Sequence, residues 1–140
     1  MWFGGYWQRE SLPPPATQRY YDTGDRAWRS PRSGQYSYVA RADDVITSSG
    51  YRVGPAEIEQ ALLRAPFVAD AAVIGVRDER RGEAIAAFVV LKPQHAQRQH
   101  ADVAAELKAL VHDNLAKHLA PHHVTLVDEL PRTDSGKVQR

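Results

Sequence analysis

The sequence predicts an α+β fold: a small two-layer domain with a three-stranded sheet and two to three helices, preceded by a β-hairpin from the end of a larger domain. Three observations carry this. Two runs of β-branched and small residues, AAVIGV (71–76) and AIAAFVVL (84–91), are joined by the charged turn RDERRGE. They read as neighbouring strands. Two stretches with helical spacing flank them, and a third apolar run, His123-Val124-Thr125-Leu126-Val127, follows the second.

Residues 1–19 set Trp2, Phe3, Tyr6 and Trp7 beside two glycines and then Pro13-Pro14-Pro15. Large aromatics without periodic neighbours need an outside surface, and the prolines impose extension. Next, Tyr20-Tyr21-Asp22 and the alternating Gln35-Tyr36-Ser37-Tyr38-Val39 suggest a hairpin around the turn Ser30-Pro31-Arg32-Ser33-Gly34. Val45-Ile46 is short and apolar, and Ser48-Ser49-Gly50 turns the chain.

Gly54-Pro55 opens a helix, because proline's absent N–H would be unpaired at the first helical position anyway. Glu57 and Glu59 sit near its positive end, Ile58, Ala61 and Leu62 form its buried stripe, and it stops before Pro66. Residues 102–117 return to helical spacing, with Val103, Leu107, Leu110, Val111 and Leu115 on one face; Ala120-Pro121 ends them. Three strands and two helices close a two-layer unit.

Composition excludes several function classes. Eighteen Lys and Arg oppose seventeen Asp and Glu, so no basic stripe recommends nucleic acid. There is no cysteine, hence no disulfide framework and no Cys-ligated zinc, which fits a reducing compartment. No run approaches the ~20 apolar residues of a membrane span. The expected location is cytoplasmic.

The terminal PRTDSGKVQR places Lys137 after a glycine. A phosphate-binding P-loop would need glycine at 131 and Ser or Thr at 138, where Pro131 and Val138 stand. On its own Lys137 reads as an exposed lysine in a tight polar loop. The neighbours Asp43 and Asp44 point to opposite sides of an extended segment, which argues against a shared proton or metal. They read as a solvated turn or as a hinge between the hairpin and the compact unit. Among six histidines, His118 and His122 have i,i+4 spacing, but Pro121 breaks the helix that would align them. No metal site is expected.

YYDTGD, DDVITSSGYRVGPAEIE and PRTDSGKVQR, in this order and spacing, resemble three motifs of the adenylate-forming (AMP-forming) acyl-CoA synthetases, and GGYWQ is similar to the segment preceding the first motif. The likeness covers the whole chain and is greatest to the medium-chain fatty acyl-CoA synthetase branch. It implies a two-step ligase: a carboxylate attacks the α-phosphate of ATP to give an acyl-adenylate and pyrophosphate, then the thiol of coenzyme A displaces AMP. It implies a large N-terminal AMP-binding domain, ending here with residues 1–42, and a C-terminal lid, residues 43–140, that swings between two poses.

By the same resemblance, Asp25 would accept hydrogen bonds from the ribose hydroxyls, and Arg41 would donate to ribose or phosphate. Asp43 would be the hinge. Gly50 would admit the pantetheine arm of coenzyme A, with Arg52 facing the site in that pose. Lys137 would stabilise charge between carboxylate and α-phosphate. The Ser/Thr/Gly-rich loop that cradles ATP, the glutamate that helps hold Mg2+, and the acyl pocket are absent from the sequence, as is the final helix such enzymes carry after the lysine. The expected partners are therefore the large domain, ATP or AMP, coenzyme A and a medium-chain acid, and the chain alone is expected to be inactive. Alternatives are the equivalent piece of a carrier-protein-loading adenylation domain, or a non-catalytic α+β binding module or remnant.

Overall fold

A computed structural model describes residues 23–139. The aromatic cluster of Trp2, Phe3, Tyr6 and Trp7, and the Tyr20–Asp22 arm expected for the hairpin, lie outside the described residues. The hairpin itself is formed by β1 (Asp25–Arg29) and β2 (Tyr36–Arg41), which pair antiparallel with Asp25 opposite Arg41 and Trp28 opposite Ser37. Its turn is closed by Gly34 N–H donating to Ser30 O at 2.8 Å. Every residue of β1 is exposed, and Trp28, Tyr36 and Tyr38 stand 56%, 72% and 63% exposed. A two-stranded ribbon with bare aromatics has no core of its own.

The remaining elements build one compact unit: β3 (Ile46–Ser48), β4 (Tyr51–Val53), α1 (Pro55–Leu62), β5 (Val68–Asp78), β6 (Gly82–Leu91), α2 (His100–Asn114) and β7 (His123–Leu126). The three strands expected from sequence are β5, β6 and β7. The short hairpin β3–β4 widens them into a five-stranded sheet of order β4-β3-β6-β5, with β7 also on β6. β7 runs parallel to β6 while the other pairs are antiparallel. A parallel neighbour needs a long crossover, and α2 supplies it.

Alternation on β6 sends Ile85, Ala87 and Val89 into the core, where they meet Val73 of β5. Ile58 and Leu62 of α1, and Val103, Leu107 and Val111 of α2, pack in the same cluster. Each large side chain so buried contributes about 1.5–3 kcal/mol. The acidic residue Glu59 turns out to work on the sheet: its Oε1 accepts the Val73 N–H of edge strand β5 at 2.9 Å. One expectation is corrected. α2 ends at Asn114, and Leu115, which leaves helical geometry at φ −121°, ψ −90°, is 37% exposed rather than on the buried face.

Candidate functional site

Asp25 and Arg41 are brought together by the hairpin register itself. Arg41 Nη1 lies 3.8 Å from Asp25 Oδ1, and Arg41 Nε donates to Asp43 Oδ1 at 3.3 Å. Gly24 permits this: its φ is +72°, and a Cβ there would stand 3.0 Å from Arg41 Nη2. The charge of Asp43 and its hydrogen bond raise Arg41 above the ordinary guanidinium value, against the opposing effect of desolvation, with the charges of Asp25 and Asp44 adding to the rise. The group is cationic at any physiological pH. This cluster is exposed and offers a carboxylate beside a fork of donors.

Asp43 occupies the turn between β2 and β3, where the two sheets part company. Asp44 N–H donates to Arg41 O at 3.2 Å and Ala42 N–H to Gly24 O at 2.7 Å, so the turn's backbone is held on the hairpin side. Beside it opens a cleft of ≈ 330 Å³ lined by Arg26, Ala42, Val45, Thr47, Arg52 and Gly54. Arg52 thus faces a cleft that straddles this junction, together with Arg26, a residue no sequence motif singled out.

Gly50 sits at the tip of the β3–β4 hairpin. Ser49 (φ 51°) and Gly50 (φ 83°) are both left-handed, as a two-residue type I′ turn requires. A Cβ on Gly50 would meet no heavy atom within 4 Å, so its backbone is open to an approaching chain. Ser49 N–H donates to Arg81 O at 2.9 Å and Ser48 pairs with Gly82, which docks the tip on the β5–β6 turn. Tyr51 stacks on His118 with ring centroids 4.3 Å apart.

Lys137 lies in a tight loop that follows the buried Leu130. Thr133 organises it: Thr133 N–H donates to Lys137 O at 2.8 Å, and Thr133 Oγ1 accepts Lys137 N–H at 3.1 Å. Gly136, at φ +80°, closes the turn by donating to Thr133 O at 2.8 Å. Arg132 pairs across to Val138, donates from Nη1 to Gly136 O at 2.7 Å and from Nη2 to the Asp70 carboxylate of β5. The Lys137 side chain is exposed and its ammonium contacts no partner among the described residues.

The expected site residues therefore fall into three groups. Asp25, Arg41 and Asp43 form one cluster, with Arg52 on the cleft beside it. Gly50 is docked at the Gly82 end of β6, whereas Asp70, which anchors the lysine loop, faces Val90 at the other end. From Gly82 to Val90 is roughly 27 Å at the rise of an extended strand. Sequence reading missed Arg26, Asp70, Arg132 and Thr133. The last two were visible only as members of PRTDSGK, and nothing local marks Asp70 as their partner.

The histidines find separate partners: His122 Nδ1 accepts Ile85 N–H at 3.2 Å, and the ring of His118 is taken by Tyr51. Among the described residues no group of three or more His, Cys, Asp or Glu could hold a metal ion.

Residues 57–137 match the sequence model of the AMP-binding enzyme C-terminal domain. The chain belongs to that family. It resembles acyl-CoA synthetases over most of its length. It is 41% identical over 121 residues to the mitochondrial acyl-coenzyme A synthetase ACSM3 of Mus musculus, covering 86% of this chain and 21% of that protein. An acyl-CoA synthetase from Brucella canis superposes with a TM-score of 0.67 at 45% identity, over 99% of this chain and 25% of its own. The o-succinylbenzoate CoA synthetase of Bacillus subtilis, solved with an acyl-adenylate, gives a TM-score of 0.80 at 32% identity, over 96% and 26%. The chain thus spans about a fifth of the length of the curated relatives it matches. Among the described residues no helix is long and apolar enough to cross a membrane.

Proposed function

We propose that the chain is the C-terminal part of an AMP-forming acyl-CoA synthetase, with residues 1–42 ending the large nucleotide-holding domain and residues 43–140 forming its mobile lid. The supporting observation is the placement of two open, differently built tips, Gly50 and Lys137, at opposite ends of the β5–β6 hairpin. Tips anchored roughly 27 Å apart along β6 suit two successive poses better than one. A lid that turns about Asp43 presents them in succession.

In the first pose the Lys137 ammonium enters the site. A carboxylate oxygen attacks the α-phosphorus of ATP, the bond to pyrophosphate breaks, and the ammonium stabilises the negative charge shared by carboxylate and phosphate oxygens. One preorganised donor of this kind contributes on the order of 10²–10³-fold in rate. Asp25 accepts from the ribose hydroxyls, for which an ionised carboxylate has enough lone pairs, and Arg41 donates beside it. In the second pose Gly50 lines the approach of the pantetheine arm with Arg52 near it. The thiol sulfur attacks the acyl carbonyl and AMP leaves with the electron pair of the broken C–O bond.

Mg2+ is proposed to enter with the triphosphate and to be held mainly by the large domain, because this cation is bound chiefly through phosphate oxygens, water and one or two carboxylates. A medium-chain acid is proposed from the motif resemblance, and the matched mammalian relatives are acyl-coenzyme A synthetases. A cytoplasmic location stays an expectation from composition, since those relatives are named as mitochondrial.

The test is AMP release from ATP, magnesium, coenzyme A and a medium-chain acid. The chain alone should give none. Adding the large domain of the Brucella canis acyl-CoA synthetase should restore release that disappears with Lys137→Ala. Turnover by the 140-residue chain alone would contradict the proposal.

A further inference from the structure

We infer that Arg132 and Asp70 are positioning residues that fix the lysine loop on the sheet, and so set where the Lys137 ammonium points. The inference rests on the reading of Lys137 given above.

Among the described residues, the loop's other hydrogen bonds close on itself. Thr133 bonds Lys137 and Gly136, and Gln139 N–H returns to Pro131 O at 2.9 Å. These bonds set the loop's shape without setting its attitude to the domain. Arg132 does both, because one guanidinium spans the two levels: Nη1 holds the carbonyl of Gly136, the residue before Lys137, and Nη2 holds Asp70. A planar guanidinium with donors in a fixed fork transmits orientation between two acceptors.

Asp70 is prepared for this task. Pairing along β5 slips between Val68 and Asp70, and a bulge of this kind re-aims the side chain beside it. Asp70 Oδ1 is already fixed by Ala71 N–H at 2.9 Å, leaving Oδ2 for Arg132. The carboxylate and guanidinium are 30% and 49% exposed, so the pair is a surface ion pair of small stabilising effect on the fold as a whole. Its removal leaves a folded domain with a loosely placed lysine. A displacement near 1 Å at a reacting centre costs about 10²-fold in rate.

The experiment has two readouts on Arg132→Ala, Asp70→Asn and the charge-exchanged pair Asp70→Arg with Arg132→Asp. The first is NMR of the 140-residue chain. In both single variants the amides of Gly136 and Lys137 should shift and become mobile while those of Val73, Ile85 and Leu107 hold. The exchanged pair should recover part of the order. Unmoved Gly136 and Lys137 resonances in Arg132→Ala overturn the inference, whatever the activity.

The second readout is adenylate formation by the chain joined to the Brucella canis large domain. Here kcat should fall about 10–10²-fold with KM for ATP unchanged. If Lys137→Ala abolishes the step and Arg132→Ala leaves kcat unchanged, the positioning role is wrong and the lid reading stands. If Lys137→Ala itself has no effect, the lid reading fails and takes this inference with it.

Discussion

His122 ties the end of the α2 crossover to β6. Its N–H donates to Ile85 O at 2.8 Å, its Nδ1 accepts Ile85 N–H at 3.2 Å, and Lys108 Nζ donates to its carbonyl at 2.9 Å. An Nδ1 that accepts must be unprotonated, so the neutral ring carries its proton on Nε2. Burial first, then the nearby charges of Arg81, His123 and Lys108, push His122 below its ordinary value, with Asp78 opposing. As acid is added, the unfolded chain therefore binds the proton before the folded one. The stabilisation is complete above about pH 6.5 and is lost as pH falls through the lower folded value. His122→Gln keeps an acceptor for Ile85 N–H but cannot titrate. Between pH 7.5 and 5 the urea midpoint should fall more for the parent chain than for this variant; equal slopes would refute the assignment. Asp78 is also lowered, first by the N–H groups of Arg80 and Arg81 that it accepts, and its contribution is lost only below the carboxylate range.

The β3–β4 hairpin shows where element-level reading stops. Ser48-Ser49-Gly50 was legible as a turn because serine and glycine punctuate chains for known backbone reasons. The flanking strands were not legible, since three residues each give too few alternations to count. β1 itself was not legible for a related reason: all five of its residues are exposed, so no hydrophobic period marks it. β5 and β6 were found but read short: at their shared turn both ends run past the core into solvent, and at the start of β5 the register slip between the buried Val68 and Asp70 breaks the alternation. The left-handed Ser49 has a testable consequence. Asparagine tolerates that conformation better, so Ser49→Asn should raise stability by about 0.5–1 kcal/mol in urea titration. An unchanged or lower midpoint would show that the turn is not held as described.

At the scale of the molecule, the candidate site was legible as motifs but not as geometry. DDVITSSGYRVGPAEIE and PRTDSGKVQR carry Asp43, Gly50, Arg52 and Lys137 in plain view. The separation of Gly50 from Lys137 to opposite ends of β5–β6 depends on pairings such as Ser48 with Gly82 and Arg132 with Asp70, which join distant parts of the chain. The bare aromatics Trp28, Tyr36 and Tyr38 are the observation behind the proposal that the hairpin packs on a further domain. The lid account turns on a division of labour between the two tips. It is tested most directly by timing the two half-reactions separately in the chain joined to the Brucella canis large domain. Lys137→Ala should slow adenylate formation by about 10²–10³-fold while thioester formation from supplied acyl-adenylate continues, and Gly50→Leu should do the reverse. Slowing of the same half-reaction by both substitutions, or adenylation indifferent to Lys137→Ala, would contradict it.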